Sequence, residues 1–477
     1  MRPIEILLSV ANVLTLLVLV LLWLQAARWT GYVTLIALLI AAAQVLIEGS
    51  RWQMIPAYLL TGLFFLLWLL HNISLTVSFA PRKLFIGLVG LGVFTLTLSI
   101  ALPIILPVFR FPPPSGTYQI GTLTYHWLDA NRQEIFSADP HDRRELMVQI
   151  WYPTRGGSAS PRAPYMQHPE ALASALRLLH LPEFIFGHFQ YVTTHAIPSA
   201  PLADEDFSYP VLIFLSGRAG YRQSNTFQIE ELVSHGYIVA GIDQPYAAAG
   251  VVFPDGRLVS MDPRMYDPAR IGHPAFLDGV IPFLAQDVSF TLEQLASLNQ
   301  SDPNGILSGR LNLKRAGILG VSLGGILSGE ACLHELRLRA CLVMDAFMST
   351  QVVHSGLQQP TMWISRDAQT MQLERWSQVD IDETQSSMRA VYESLPGEGY
   401  LVLVPGIFHL DFTDAPLFSP LASLLGLSGR LDTQRTHSII NAYSLAFFDR
   451  QLKNRPAKLL DGPAKDYPEV LFETRRS

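Results

Sequence analysis

The sequence predicts an α/β domain in residues 111–477, preceded by an all-helical, hydrophobic region in residues 1–110. Two observations lead to this prediction. Charged residues are rare before residue 110, whereas short apolar runs typical of strands alternate with helix-like stretches after it. Because strands that alternate with helices form mostly parallel sheets covered on both faces, we expect that architecture for the second part.

Four long uncharged runs fill the N-terminal region, at residues 6–27, 29–47, 52–81 and 84–109. A helix rises about 1.5 Å per residue, so roughly 20 apolar residues cross the hydrocarbon core of a bilayer. We therefore expect about four transmembrane helices and a multi-pass protein anchored in the bilayer. Basic residues flank the two ends of these runs in equal number, so the positive-inside rule does not assign the side of the membrane on which the second part lies.

The charge distribution restricts the classes of partner. The whole chain has a formal charge of −6, and six basic and two acidic residues give residues 1–110 a charge of +4, which leaves −10 on residues 111–477. An acidic domain argues against nucleic acid as a partner. The two cysteines, Cys332 and Cys341, are expected to be buried thiols. The sequence contains no metal-ligand spacing, so neither a metal nor a cofactor is expected.

Apolar runs in the second part predict individual strands and helices. The predicted strands are residues 146–152, 210–215, 237–242, 316–321, 340–344, 361–365 and 400–404. The predicted helices are residues 225–234, 286–298 and 326–336. Sites in parallel sheets lie at the carboxyl ends of the strands, so residues that directly follow these strands are the candidates for function.

The most informative of these positions is Ser322. It lies in residues 316–325, AGILGVSLGG, where a Gly-x-Ser-x-Gly sequence follows a predicted strand and precedes a predicted helix. This is the layout of a nucleophile elbow, a tight turn that exposes the serine hydroxyl and leaves no room for side chains beside it. Ser322 is therefore the candidate nucleophile. The alternative is a glycine-rich turn with a capping serine.

Two other residues complete a candidate catalytic set. Asp345 directly follows the strand after the elbow helix, and His409 lies in the loop after the last predicted strand. The order Ser, Asp, His is that of the α/β hydrolases. In such a set His409 takes the proton from Ser322, while Asp345 orients the imidazole. Asp367 also follows a predicted strand and is the alternative acid.

The loop after the predicted strand at residues 210–215 supplies a candidate oxyanion hole. Residues 210–215 are followed by Ser216-Gly217-Arg218-Ala219-Gly220. The backbone N–H of Arg218 and that of Leu323, directly after the candidate nucleophile, are expected to bind the developing oxyanion. The alternative is a simple turn between strand and helix.

The chain also resembles the plasma-type platelet-activating-factor acetylhydrolase family of α/β hydrolases. The similar segments are residues 148–153, 194–196, 210–222, 234–240, 286–288, 318–325, 344–346, 408–412, 441–443, 447–448 and 467–470. The resemblance implies a nucleophile, acid and base at Ser322, Asp345 and His409. It departs from the family at Val321, where the family often has His, and at residues 215–217, Leu-Ser-Gly, where the family usually has Ser-His-Gly.

An apolar insertion and the membrane region bear on the substrate. Residues 161–207 precede the predicted strand at residues 210–215 and could form a lid over an acyl pocket. The alternative is a satellite helix packed on the sheet. Together with the membrane anchor, this insertion favours a lipid ester. The sequence thus predicts a membrane-anchored serine esterase that cleaves lipid or phospholipid acyl esters through an acyl-enzyme. The alternative function is a non-catalytic membrane sensor or scaffold with a hydrolase-like ligand-binding domain.

Overall fold

The computed structural model describes residues 1–22, 30–72, 82–157, 160–178, 180–266 and 274–475. The chain divides into two compact units. The first unit is Met1–Phe109 together with two later segments, Gly187–Tyr191 and Phe418–Leu421, and the second unit begins at Arg110 and contains the remainder.

Apolar helices make up most of the first unit. These helices are α1 (Pro3–Leu22), α2 (Thr30–Glu48), α3 (Ile55–Asn72) and α4 (Arg82–Ile105). By length and composition, two described segments could cross a membrane, Trp52–Leu69 and Ile86–Ile105, and two are shorter, Pro3–Val18 and Tyr32–Glu48. The expectation of four spanning helices therefore stays a prediction.

The second unit is built on a sheet. In the described part of the chain, ten strands form it in the order β12-β11-β10-β9-β8-β4-β5-β2-β1-β3, and β6 and β7 form a separate hairpin. The strands are β1 (Gln119–Gln133), β2 (Arg143–Thr154), β3 (Ala196–Pro198), β4 (Tyr209–Leu215), β5 (Ile238–Asp243), β6 (Gly250–Val252), β7 (Leu258–Ser260), β8 (Leu311–Val321), β9 (Leu338–Met344), β10 (Thr361–Ser365), β11 (Gly399–Leu403) and β12 (Leu471–Arg475).

In the order of the sheet, β5, β4, β8, β9, β10 and β11 are each parallel to their neighbours in this group. At the two ends of this group, β2 pairs antiparallel with β5, and β12 pairs antiparallel with β11. In register, Val321 of β8 is opposite Met344 of β9, and Met344 is opposite Ile364 of β10. Ser365 of β10 is in turn opposite Leu403 of β11. The carboxyl ends of these four strands therefore meet at one edge of the sheet.

Helices cover both faces of this sheet. Ile213 of β4 belongs to the same buried cluster as Leu327 of α8. The side chains of Leu212 and of Phe448 in α12 each come within 3.1 Å of the place where Gly317 would carry a Cβ, so they occupy the other face. The helices of this unit are α5 (Ala173–Leu178), α6 (Thr226–Ser234), α7 (Pro274–Gln300), α8 (Leu323–His334), α9 (Thr350–Ser355), α10 (Ala368–Leu373), α11 (Gln378–Ser394) and α12 (Thr433–Lys453).

The predicted α/β class is confirmed in this unit. Each strand and each helix that the sequence predicts corresponds to an observed one, within a few residues at most ends and with a longer α7. The sequence did not predict β1, β3, β6, β7, β12, α9, α10, α11 or α12.

Candidate active site

Ser322 lies in a strained turn between β8 and α8. Its backbone has φ 56° and ψ −124°, in a region of positive φ that non-glycine residues rarely adopt. The Ser322 N–H donates to Met344 O at 2.9 Å, and its carbonyl accepts the N–H groups of Gly325 and Ile326. The turn is therefore held on both sides, by the neighbouring strand and by the first turn of the helix.

Glycine is required on both sides of Ser322 for steric reasons. A Cβ at Gly320 would lie 2.1 Å from Gly324 O, and a Cβ at Gly324 would lie 2.1 Å from Leu215 O. Both obstacles are backbone atoms, which cannot rotate away. The Gly-x-Ser-x-Gly spacing is thus explained by close backbone approach in the turn.

Gly324→Ala is expected to destabilise the protein by more than the ~1–3 kcal/mol typical of overpacking, and to disrupt the Ser322 turn. Thermal unfolding and ester hydrolysis should both report this loss. Gly397→Ala is the matched control, because no atom lies within 4 Å of a Cβ at that position. An unfolding temperature for Gly324→Ala equal to that of Gly397→Ala would contradict the steric account.

Asp345 lies at the end of β9 and is buried, with a positive φ of 46°. Its Oδ1 accepts hydrogen bonds from Ser365 Oγ and from Arg366 Nε, each at 3.0 Å. Its Oδ2 is 2.5 Å from His409 Nδ1. Burial alone would raise the pKa of Asp345, but the Arg366 guanidinium and the His409 bond hold it well below its usual range. The carboxyl group is therefore ionised at neutral pH.

Asp367, the alternative acid, has a different place. It is the N-cap of α10, where its side chain accepts the backbone N–H of Thr370 at 3.3 Å and also the Thr370 hydroxyl. Asp367 also follows Arg366 directly in the chain, a position that would allow a local ion pair. In the structure the Arg366 guanidinium pairs instead with Asp345 and Glu374. The structure thus brings Asp345, and not Asp367, to His409.

His409 begins a short 3₁₀ turn after β11, and its side chain is 22% exposed. The carboxylate partner at Nδ1 favours the tautomer with the proton on Nδ1, which leaves Nε2 as the basic atom. The Trp376 ring lies 5.2 Å from the imidazole, centroid to centroid. Asp411 fixes the turn by accepting the N–H groups of Phe408 and Gly429 at 2.6 and 2.7 Å.

The loop after β4 lies against Ser322. A Cβ at Gly217 would be 3.2 Å from Ser322 Cβ and 3.7 Å from Ser322 Oγ, so the backbone of this loop closely approaches the hydroxyl. The Gly220 N–H donates to Gly217 O at 2.8 Å and fixes the loop conformation. Arg218 and Leu323 both line the cavity that contains Ser322. Leu323 is also the first residue of α8, whose N–H has no acceptor within the helix.

A cavity of about 460 Å³ opens at this edge of the sheet. This volume is within the range of small-molecule sites. Apolar side chains form one part of its wall, and polar side chains of α11 and the preceding loop form another. The lining residues are Arg218, Met265, Leu277, Ser322, Leu323, Ile326, Asp345, Ala346, Phe347, Arg375, Trp376, Ser377, Asp380, Glu383 and Thr384.

Two further charged residues surround the candidate base. Arg366 and Glu374 were not identified from the sequence as site residues, because neither belongs to a local motif. Both contact the catalytic set only through tertiary structure. In the part of the chain that the structure describes, no group of three or more His, Cys, Asp or Glu side chains could hold a metal ion.

Comparisons with known proteins agree with this fold. Residues 296–460 match the family model of platelet-activating factor acetylhydrolase, isoform II. The platelet-activating factor acetylhydrolase of Cavia porcellus is 24% identical over 341 residues, which cover 65% of this chain and 74% of the relative. A probable 1-alkyl-2-acetylglycerophosphocholine esterase of Arthroderma benhamiae is 23% identical over 389 residues, which cover 76% and 94% of the two chains.

A solved structure extends the comparison to the fold. The ferulic acid esterase from Streptomyces cinnamoneus superposes with a TM-score of 0.63 and 28% identity, over 77% of this chain and 99% of that chain. Fold and relatives together define an α/β hydrolase that cleaves esters. Within that class, the chain is similar to the platelet-activating factor acetylhydrolase family, as its sequence motifs led us to expect.

Proposed function

We propose that the protein is a membrane-anchored serine hydrolase that cleaves lipid or phospholipid acyl esters through Ser322, His409 and Asp345. The observation that carries the proposal is the 2.5 Å contact between His409 Nδ1 and Asp345 Oδ2, at the sheet edge where Ser322 lies in its strained turn. Ser322 and Asp345 follow neighbouring strands and line the same cavity, and Asp345 contacts His409, which supports an acyl-transfer mechanism.

The chemistry follows from the roles of these atoms. His409 Nε2 takes the proton of Ser322 Oγ as the oxygen attacks the ester carbonyl. The amides of Arg218 and Leu323 stabilise the resulting oxyanion, and His409 returns the proton to the leaving alcohol. Water then attacks the acyl-enzyme by the same route. Asp345 stabilises the imidazolium that forms in both steps.

The cavity and the relatives' names suggest the substrate class. The Arthroderma relative is named as a probable esterase of 1-alkyl-2-acetylglycerophosphocholine, and the Streptomyces structure as a ferulic acid esterase. Here the cavity is lined partly by apolar side chains such as Ile326 and Phe347. Its lining includes no described residue of 161–207, so the proposal does not depend on a lid there.

Ester turnover by the full-length protein in detergent tests the proposed function. A cavity of about 460 Å³ is small for a long acyl chain, so we expect kcat/KM to be at least tenfold higher for acetyl to butyryl esters than for palmitoyl esters. Phospholipids with short acyl chains should be cleaved as well. Hydrolysis of peptides without hydrolysis of esters would overturn the substrate class. Absence of any turnover would favour the sensor or scaffold alternative.

Membrane anchoring is tested by extraction. The apolar segments Trp52–Leu69 and Ile86–Ile105 should keep the expressed protein in the membrane pellet after an alkaline carbonate wash, and detergent should release it. A peripheral membrane protein in the same preparation controls the wash. Recovery of the protein in the carbonate supernatant would contradict the anchor and leave the esterase proposal unaffected.

A further inference from the structure

Arg366 is a fully buried cation beside the candidate triad. Its guanidinium has no exposed side-chain surface and lies 2.7 Å from Asp345 Oδ2. A second ion pair joins Arg366 to Glu374, whose side chain is 16% exposed. Burying a charge is costly unless it is paired, and two carboxylates pair with this one. The guanidinium thus contacts both oxygens of Asp345, including Oδ2, the oxygen that also contacts His409 Nδ1.

Glu374 closes a circuit of contacts around His409. Its two carboxylate oxygens each accept the backbone N–H of His409 at 3.2 Å. Contacts therefore run from Arg366 to Asp345, from Asp345 to the imidazole, from the His409 backbone to Glu374, and from Glu374 back to Arg366. The base is held at its ring through Asp345 and at its backbone through Glu374.

Trp376 joins the same circuit from the cavity side. The Arg366 guanidinium carbon lies 4.3 Å from the centroid of the Trp376 ring, a cation–π distance. The same ring also lies next to the His409 imidazole, with the two ring centroids 5.2 Å apart. The indole thus covers both the buried cation and the base.

The charges of the circuit matter for the reaction. Burial raises the pKa of Glu374, and the Arg366 guanidinium opposes that shift. With Glu374 ionised and the imidazole neutral, Arg366, Asp345 and Glu374 sum to −1. When His409 is protonated the four groups sum to zero. The carboxyl group of Asp411 also lies in this turn, where it accepts the hydroxyl of Ser428, and burial raises its pKa. Without Glu374, Arg366 would cancel the charge that Asp345 offers to the imidazolium.

We propose that Glu374 is a second carboxylate of the active site, a positioning residue that offsets Arg366 so that the surroundings of His409 favour the imidazolium formed during acyl transfer. This inference rests on the proposed function. It assigns Arg366 the matching task of holding Asp345 ionised and aimed at His409 Nδ1. Neither residue touches the substrate in this account.

The test is a double-mutant cycle on the full-length enzyme, with Glu374→Gln, Arg366→Met and the double variant. Because Glu374 acts through His409, kcat for a short ester should fall roughly 10- to 100-fold in Glu374→Gln, below the full ~10²–10⁴ of general base catalysis. KM should change by less than about threefold, as expected for a group that does not bind substrate. Glu393→Gln is the matched control, since Glu393 is exposed on α11.

The pH profile of kcat/KM separates this role from a purely structural one. Loss of the Glu374 charge should move the acid limb to lower pH, and loss of the Arg366 charge should move it to higher pH. The double variant should return toward the wild-type limb and lose less activity than the product of the two single losses. Arg366→Lys keeps the charge, so its acid limb should stay near that of the wild type.

Two results would overturn the inference. One is a Glu374→Gln enzyme with wild-type kcat and an unmoved acid limb. The other is a folded set of variants whose losses multiply and whose acid limbs do not move in opposite directions, which would indicate structural damage alone. Near-ultraviolet circular dichroism checks the fold of each variant. Ester hydrolysis that persists in Ser322→Ala would instead refute the proposed function. Failure of this inference and failure of the proposed function are therefore distinguishable.

Discussion

Ser322→Ala is expected to lower kcat for ester hydrolysis by roughly 10⁶, the scale known for loss of the nucleophile in a serine hydrolase. The same change should abolish covalent labelling by a fluorophosphonate. The reason is that the variant keeps the turn, the cavity and the base, and loses only the oxygen that attacks. Steady-state kinetics and gel fluorescence after probe treatment measure the two effects.

The control for this change is Ser328→Ala. Ser328 is buried in α8, six residues after the candidate nucleophile, and its hydroxyl donates to Gly324 O at 2.7 Å. This variant should keep both turnover and labelling, because its hydroxyl serves only the helix. Persistent labelling of Ser322→Ala, at full stoichiometry, would remove the elbow assignment.

The second large effect concerns the acid. Asp345→Asn is expected to reduce kcat by about 10⁴, the scale for a triad whose base is left in the wrong tautomer. The amide of Asn would donate to His409 Nδ1 instead of accepting from it. Asp345 also pairs with Arg366, so the variant leaves that buried cation with Glu374 alone. Kinetics with a short ester and thermal unfolding should be measured together.

Asp367→Asn is the comparison for Asp345→Asn. Asn is also a good N-cap, so capping of α10 should persist, with stability changed by less than about 1 kcal/mol. Activity should remain within about threefold of the wild type. The account fails if Asp367→Asn is the crippled enzyme and Asp345→Asn is the active one.

Local patterns predicted much of the second unit. Buried parallel strands such as β9 and β10 are short apolar runs, so the sequence marks them clearly. Ser322 could be found because Gly320 and Gly324 are required within a few residues of it. The comparisons likewise support the class of ester hydrolase and the resemblance to the acetylhydrolase family.

Other elements depend on partners distant in sequence. β12 alternates between exposed and half-buried positions and exists through its pairing with β11, so its own sequence gives little signal. Helix α11 is largely polar. Helix α12, in contrast, has buried apolar residues at helical spacing and could have been predicted.

The sequence alone could not decide between the two candidate acids or identify the residues around His409, because both depend on contacts between residues distant in sequence. Asp345 and Asp367 both follow strands, and only the tertiary structure shows which one reaches His409. Glu374 is separated from His409 by 35 residues, and no motif connects them. Charge pairing across such separations is decided by the packing of the loops at the sheet edge.

Direct detection of the acyl-enzyme tests the central claim most directly. The full-length enzyme is mixed with a short-chain ester, quenched in acid within milliseconds to seconds, digested and analysed by mass spectrometry. The account predicts that the peptide containing Ser322 carries the mass of the acyl group, and that the adduct disappears as substrate is exhausted. Rapid turnover with no adduct on that peptide, or with the acyl group on another residue, would contradict it.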